Sequence, residues 1–267
     1  SLIDRSNAQI CLHETAQFAE VRDGNKQAMP MYTNRNQAMK LIRLGDPVKR
    51  HYETWLKHTA TLDGLYLRPW LKRIFNWNMN LGGRLYGDYQ QIPSKDRKRI
   101  LINGHKTVEL DFKAFHIALL YAKNGLSLDI DPYVIPPYGQ DFRKTFKAIC
   151  LRLVNAEDLP SLKASITRSG KLSVQRAHLE YKNKRELFEY HKGTGRRADE
   201  PVKPKSLKGF IDGIPIDSKG EDLIDLLLET HAPIKHEFST PKIGLILQRL
   251  DSEVMARTLD KLPGLPC

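Results

Sequence analysis

Cysteine and long apolar stretches are both scarce in this chain. Its three cysteines are an odd number without a CxxC pair, which argues against a disulfide framework and a cysteine-based zinc site. The longest largely apolar run, from Phe115 to Ala122, is far shorter than the roughly 20 residues of a membrane-spanning helix. We therefore expect a reduced, cytoplasmic protein without zinc that folds around its own core.

Acidic residues are outnumbered by basic ones. The 267 residues contain 43 Lys and Arg against 31 Asp and Glu, a formal net charge of +12. Residues 143–208 hold 17 of the basic residues and 7 of the acidic ones. This excess favours a polyanionic partner. A solvated basic insertion is the alternative interpretation for the Gly-, Pro- and Lys-rich stretch 191–208.

Hydrophobic periodicity predicts a mainly helical start and three later helices. In the first 80 residues we expect helices at 36–44, 47–59 and 67–77, the first two separated by Gly45-Asp46-Pro47. The later helices are expected near 114–123, 141–154 and 242–262.

A β-hairpin is predicted between these regions. Two β-prone runs, 99–102 and 105–112, flank Asn103-Gly104, the pair most typical of a type I′ turn. The second run alternates, so Asp111 is expected at a strand end, facing away from an apolar layer. That layer would be formed by Val108, Leu110 and Phe112.

Asp111, Arg143 and Lys147 are the candidates for chemistry. A carboxylate suits Mg²⁺, and two cations spaced i, i+4 on a helix project side by side and can clamp a triphosphate. The alternatives are an ordinary cap for the next helix at Asp111 and a solvated basic face at Arg143 and Lys147.

Five short motifs in a particular order strengthen the chemical interpretation. They are Gly82-Gly-Arg84 followed by Gln90-Gln91-Ile-Pro, the segment ending in Asp111, the spaced set Arg143, Lys147, Leu151 and Asn155, and a late helix containing Gln248. This succession resembles the polymerase core of family A DNA polymerases, the bacterial polymerase I type, including phage and plasmid relatives.

The resemblance implies roles for individual residues. Asp111, with the Phe112 carbonyl, would bind two Mg²⁺ ions. Arg143 and Lys147 would neutralise the triphosphate, Lys147 would protonate the leaving pyrophosphate, and Leu151 would face the incoming base. The residues expected to hold the duplex are Arg84, Gln90, Gln91, Arg97 and Gln248.

Two departures from the family pattern limit what can be carried over. His116 and Asn155 stand where the family has the Glu and Tyr that exclude the ribose 2′-hydroxyl, so the choice between deoxyribo- and ribonucleotides stays open. The alternative for His116 is a helix histidine packed beneath the strand. The chain also has no His-Asp dipeptide, which supplies the family's second catalytic carboxylate. We expect that the natural protein continues past Cys267 and that this piece alone does not catalyse.

These observations together predict an α+β, polymerase-like architecture. The expected parts are a helical, thumb-like region (1–80), a small antiparallel palm sheet carrying Asp111 (81–140), basic helical fingers (141–240) and a final palm helix (241–267). We expect the protein to be a monomer that binds a primer–template and nucleoside triphosphates. We expect no association with a membrane. Two alternatives remain, a non-catalytic nucleic-acid-binding module and a single-subunit RNA polymerase or primase.

Overall fold

A computed structural model describes residues 18–29, 35–262 and 264 of the chain. The fold is mixed α+β, and it divides into two compact units. The first unit comprises Ser1–Leu119 and Gly244–Cys267, and the second comprises Leu120–Ile243. Within the described ranges, no helix combines the length and apolar character that crossing a bilayer requires.

Seven strands and eight α-helices are described in these ranges. The strands are β1 (Ala19–Arg22), β2 (Ala60–Leu62), β3 (Leu65–Tyr66), β4 (Leu71–Asn76), β5 (Gly82–Gly87), β6 (Ile100–Ile102) and β7 (His105–Lys106). The helices are α1 (Arg35–Trp55), α2 (Ser94–Arg97), α3 (Phe115–Lys123), α4 (Arg143–Leu153), α5 (Leu159–Ser169), α6 (Leu172–Gly193), α7 (Gly220–Thr230) and α8 (Ile243–Asp260).

The first helix is longer than predicted, because it continues through Pro47. Proline removes one helical hydrogen bond and usually ends a helix. Here the buried side chains Leu41, Val48 and Trp55 recur at helical spacing on both sides of the proline. Since α1 packs this stripe against β1 and β4, tertiary burial outweighs the local break. The prediction of two separate helices was therefore wrong.

The predicted helix at 67–77 was also wrong, since this segment contains β4. This strand is the centre of a three-stranded sheet, parallel to β1 and antiparallel to β5. Leu71, Arg73 and Phe75 alternate along β4 and are all buried, which is a strand pattern with a cation in one apolar position. The described part of the first 80 residues thus combines one helix with four strands and is not mainly helical.

The predicted hairpin turn is confirmed. Strands β6 and β7 pair antiparallel, and Asn103 and Gly104 between them have φ angles of 50° and 79°, as a type I′ turn requires. These strands extend a second sheet, of order β3-β2-β6-β7, in which the three pairings are antiparallel.

The second unit is built from helices. Helix α5 packs against both α4 and α7, and Ile149, Ile166, Ile224 and Leu227 are fully buried on these helices. The helices predicted near 114–123, 141–154 and 242–262 are confirmed as α3, α4 and α8, within one or two residues at each end. The basic stretch 191–208 begins as the last turn of α6 and becomes irregular after Gly193.

Candidate functional site

Asp111 does not end a strand, contrary to the sequence prediction. Strand β7 ends at Lys106, and residues 107–112 form no strand. Val108 and Leu110 are 82% and 89% exposed, so the apolar layer expected beneath Asp111 is absent from the described structure. A β-strand needs a neighbour for its backbone, and within the described residues no strand pairs with this segment. Asp111 itself is exposed.

The described residues do not by themselves fit a magnesium site. A Mg²⁺ ion takes six oxygen ligands, and two-metal chemistry needs carboxylates on both sides of the ions. Across residues 18–29, 35–262 and 264, no three His, Cys, Asp or Glu side chains group in a way that could hold a metal. Asp111 and the Phe112 carbonyl therefore offer too few ligands, and the Phe112 ring instead stacks on Phe115 at 4.5 Å.

Helix α4 carries an outward-facing row of predicted site residues. Lys147, Leu151 and Asn155 follow one another at i+4 spacing and are all exposed. The opposite side of α4 buries Phe146, Ile149 and Leu153, so the core fixes which way the row faces. The Asn155 amide donates to the Leu151 carbonyl at 2.7 Å and thereby caps the end of the helix.

Arg143, one turn before Lys147, begins the same row but is held against the protein. Its Nε donates to Asp131 Oδ2 at 2.8 Å, and its side chain is 24% exposed. The guanidinium carbon also lies 5.4 Å from the centre of the Tyr133 ring. Asp131 and Tyr133 were not selected from the sequence, although Asp131-Pro-Tyr133 is a visible motif twelve residues upstream of Arg143.

In the first unit, Arg84 and His116 lie together with Asp251. Arg84 Nη2 is 3.1 Å from His116 Nε2 and 3.3 Å from Asp251 Oδ2. Asp251 lies within α8. Its position neutralises part of the charge on Arg84. The other ring nitrogen of His116, Nδ1, is buried and has no hydrogen-bond partner among the described residues.

A cavity of about 350 Å³ adjoins this cluster. Apolar and aromatic side chains form much of its wall, and Arg84, Gln90 and Asp251 add polar groups. The residues that line it are His51, Leu71, Arg84, Leu85, Tyr86, Tyr89, Gln90, Asp251, Ser252, Met255 and Leu259.

The remaining residues predicted to hold a duplex are dispersed. Gln90 and Gln91 are exposed on a 3-10 turn, Asp88–Gln91, whereas Gln248 is half-buried on α8. Arg97 donates to Glu109 through Nε and Nη2, at 3.1 and 2.6 Å, and to the Ile92 carbonyl through Nη1. The hydrogen bond from Arg97 keeps the pKa of Glu109 below its ordinary value. Arg97 is thus committed to an internal contact.

The structure therefore forms two local groupings of the predicted residues. Arg84 and His116 meet in the first unit, with Gln90 on the wall of the adjoining cavity. Arg143, Lys147 and Leu151 on α4, with Asn155 just after its end, form the row in the second unit. No protein-family model, curated protein or solved structure matches the chain.

Proposed function

We propose that this chain is the nucleotide- and duplex-binding core of a template-directed nucleotidyltransferase of the family A DNA polymerase type. The single observation that carries the proposal is the row on α4. There, two cations and an exposed apolar side chain follow one another at one-turn spacing, and an amide caps the end of the helix. The cations would meet the triphosphate, the apolar side chain the base and the amide the sugar of one nucleotide.

The groups of α4 that could contact a nucleotide lie on its outer face. Lys147 is exposed and keeps its ammonium in solvent, where it can meet phosphate oxygens as a point charge. Leu151, 41% exposed, would offer an apolar surface to a base without selecting among bases. In the complete reaction, Lys147 would give a proton to the leaving pyrophosphate. Because the described residues do not form a magnesium site, we derive no step through a metal.

A duplex is the second proposed ligand of this chain. Arg84 and the neighbouring Gln90 and Gln91 expose hydrogen-bonding groups on and just after β5. A cation contacts phosphate, and amides can reach minor-groove base edges, where readout is degenerate and suits an enzyme that accepts any sequence.

Primer extension by the protein in its natural length tests the enzymatic proposal. Native protein is compared with Asp111→Asn in the presence of Mg²⁺, with duplex binding measured in parallel. Loss of synthesis with intact duplex binding is the expected result. Synthesis that is unaffected by the substitution would exclude Asp111 as a metal ligand. Supplying ribo- and deoxyribonucleotides separately decides the choice of sugar.

A non-catalytic nucleic-acid-binding module is the second candidate function. The observation that favours it is the exposed segment around Asp111, which among the described residues pairs with no strand and has no grouped carboxylates. This alternative predicts duplex binding that weakens steeply with salt, because phosphate contacts release counterions, and no primer extension at any Mg²⁺ concentration.

A further inference from the structure

The segment Asp131-Pro132-Tyr133 makes two different contacts with Arg143, an ion pair from Asp131 and a ring contact from Tyr133. Asp131 accepts hydrogen bonds through both carboxylate oxygens, from Arg143 Nε at 2.8 Å through Oδ2 and from the backbone N–H of Tyr133 at 3.1 Å through Oδ1. Since both carboxylate oxygens are bonded, the acceptor that holds Arg143 is itself fixed in orientation.

Tyr133 supports the guanidinium with its ring. The ring is 4% exposed, and its centre lies 5.4 Å from the guanidinium carbon of Arg143. Burial raises the pKa of the Tyr133 hydroxyl to about 12, so the ring stays neutral over the whole physiological range. A cation beside a neutral aromatic ring is electrostatically favourable.

The segment is also attached to the core of the second unit. The Pro132 carbonyl accepts a hydrogen bond from His231 Nε2 at 2.8 Å. This bond fixes the proton on Nε2, and His231 Nδ1 then accepts from the Tyr121 hydroxyl at 3.0 Å. His231 is fully buried, so α3, the end of α7 and the 131–133 segment are joined at one point.

The contact with Asp131 leaves the terminal amino groups of Arg143 available for a ligand. Asp131 binds Nε, and the terminal amino groups have no hydrogen-bond partner among the described residues. Two parallel N–H donors are the geometry with which arginine binds phosphate oxygens. An arginine already held in one orientation also loses less conformational freedom on binding than a free one.

We propose that Asp131 is a positioning residue that holds Arg143 as a preformed fork for the polyphosphate of an incoming nucleotide. This inference rests on the proposed function, because it names the device by which the α4 row would recognise its ligand. The positioning role predicts that removal of the Asp131 carboxylate weakens anion binding, whereas simple electrostatics predicts the opposite. Removing a carboxylate beside an anion site should strengthen anion binding if charge alone matters.

Equilibrium titration with a fluorescent deoxynucleoside triphosphate tests the inference on the 267-residue chain. We expect Asp131→Ala to weaken binding about fivefold to tenfold, as expected for loss of preorganisation. Asp131→Asn keeps only one of the two acceptor oxygens and should weaken binding, but by less than Asp131→Ala does. The corresponding nucleoside, which has no phosphate, should bind all variants equally.

A matched control separates positioning from a general loss of stability. Glu221→Ala removes the carboxylate partner of Lys163, another 2.8 Å pair in the same unit, and should leave triphosphate binding unchanged. Asp131→Glu keeps the charge but shifts the guanidinium, and it too should weaken binding several-fold. If Asp131→Ala does not fold, Asp131→Glu is used to test the positioning role.

The outcomes distinguish this inference from the proposed function. If Arg143→Ala weakens triphosphate binding while Asp131→Ala and Asp131→Glu leave it unchanged or tighten it, the positioning role is overturned and the proposed function stands. If Arg143→Ala and Lys147→Ala leave triphosphate binding unchanged, the proposed function itself is contradicted.

Discussion

The Asp251 carboxylate on α8 lies 3.3 Å from Arg84 Nη2 on β5. The pair joins two elements of the first unit that are far apart in sequence, and it partly neutralises the cation proposed to contact a nucleic-acid backbone. His116 Nε2 lies 3.1 Å from the same Arg84 nitrogen, so the arginine has two internal neighbours. A duplex phosphate would have to compete with both of them for Arg84.

Releasing Arg84 should strengthen duplex binding. We expect Asp251→Asn to tighten binding of a primer–template duplex about twofold to fivefold, since a surface ion pair is worth about 0.2–1 kcal/mol. Fluorescence anisotropy at fixed salt measures the change. The control is Asp260→Asn, which removes the partner of Arg50 from the same helix with the same change in charge. Equal effects of the two substitutions would contradict a specific role for Arg84.

Arg73 should be the most sensitive polar position in the first sheet. It is 2% exposed and donates to the Gly83 and Leu44 carbonyls, both at 3.1 Å, and to the Ser252 hydroxyl at 2.7 Å. Arg73→Leu leaves these acceptors without their donor, and we expect it to destabilise the protein by about 3 kcal/mol or more. Burial already lowers the pKa of Arg73 to about 10.

Urea denaturation followed by tryptophan fluorescence tests the Arg73 prediction. Arg68→Leu is the control, because Arg68 is an exposed partner in a surface pair with Asp88 and should cost less than about 1 kcal/mol. Similar midpoints for the two variants would show that the buried network around Arg73 contributes little.

We expect a side chain at Gly83 to destabilise the protein for a steric reason. It has a φ of +83°, and a Cβ added there would lie 2.4 Å from an atom of the Phe75 ring, next to the irregularity in the β4–β5 register. Gly104 has a similar φ of +79°, but a Cβ there meets nothing within 4 Å.

This contrast predicts unequal costs for the same substitution. Gly104→Ala should cost about 1–2 kcal/mol from backbone strain alone. Gly83→Ala should cost about 1–3 kcal/mol more, because the Phe75 ring must also move. The free energy of unfolding of each variant measures the difference, and equal values would mean that the ring yields without cost.

The stability of the second unit should fall at mildly acidic pH because of His231. Burial lowers the pKa of this histidine below its ordinary 6.5, so the folded state favours the neutral ring. The stabilising effect is complete above the unfolded pKa and is lost as pH falls from about 6.5 towards the folded pKa, with a slope of at most about 1.4 kcal/mol per pH unit.

Comparison with His231→Gln between pH 7.5 and 5.5 tests this assignment. Glutamine keeps a donor for the Pro132 carbonyl and does not titrate, so the variant should lose most of the pH dependence in this window. An unchanged pH profile would place the dependence on another group.

The confirmed predictions share a local cause. The apolar spacing of α3, α4 and α8 and the Asn103-Gly104 turn are fixed by neighbouring residues, and the structure keeps all four. The errors concern non-local pairing. Strand β4 contains a buried arginine whose acceptors are distant in sequence. Because a cation occupies a buried position, the alternation of buried residues along β4 could not be recognised from the sequence. Asp111 was placed on a strand because its segment alternates, but alternation alone cannot supply a neighbouring strand.

The candidate site follows the same division. The order of residues along α4 is readable from the sequence, because helical spacing places Lys147, Leu151 and Asn155 on one side. The ion-pair partners of the candidate arginines could not be predicted from the sequence. Asp131 and Asp251 become significant only when the fold places them beside Arg143 and Arg84.

We propose that the outer face of α4 binds a nucleoside triphosphate. The most direct test is the triphosphate affinity of Lys147→Ala against Lys144→Ala, two exposed lysines on the same helix. Loss of a charge-assisted contact worth about 1.5–3 kcal/mol predicts that Lys147→Ala weakens binding about tenfold or more. Lys144→Ala should stay within about twofold of the native chain, because it lies outside the row. Equal effects of the two substitutions, or no effect of either, would contradict the account.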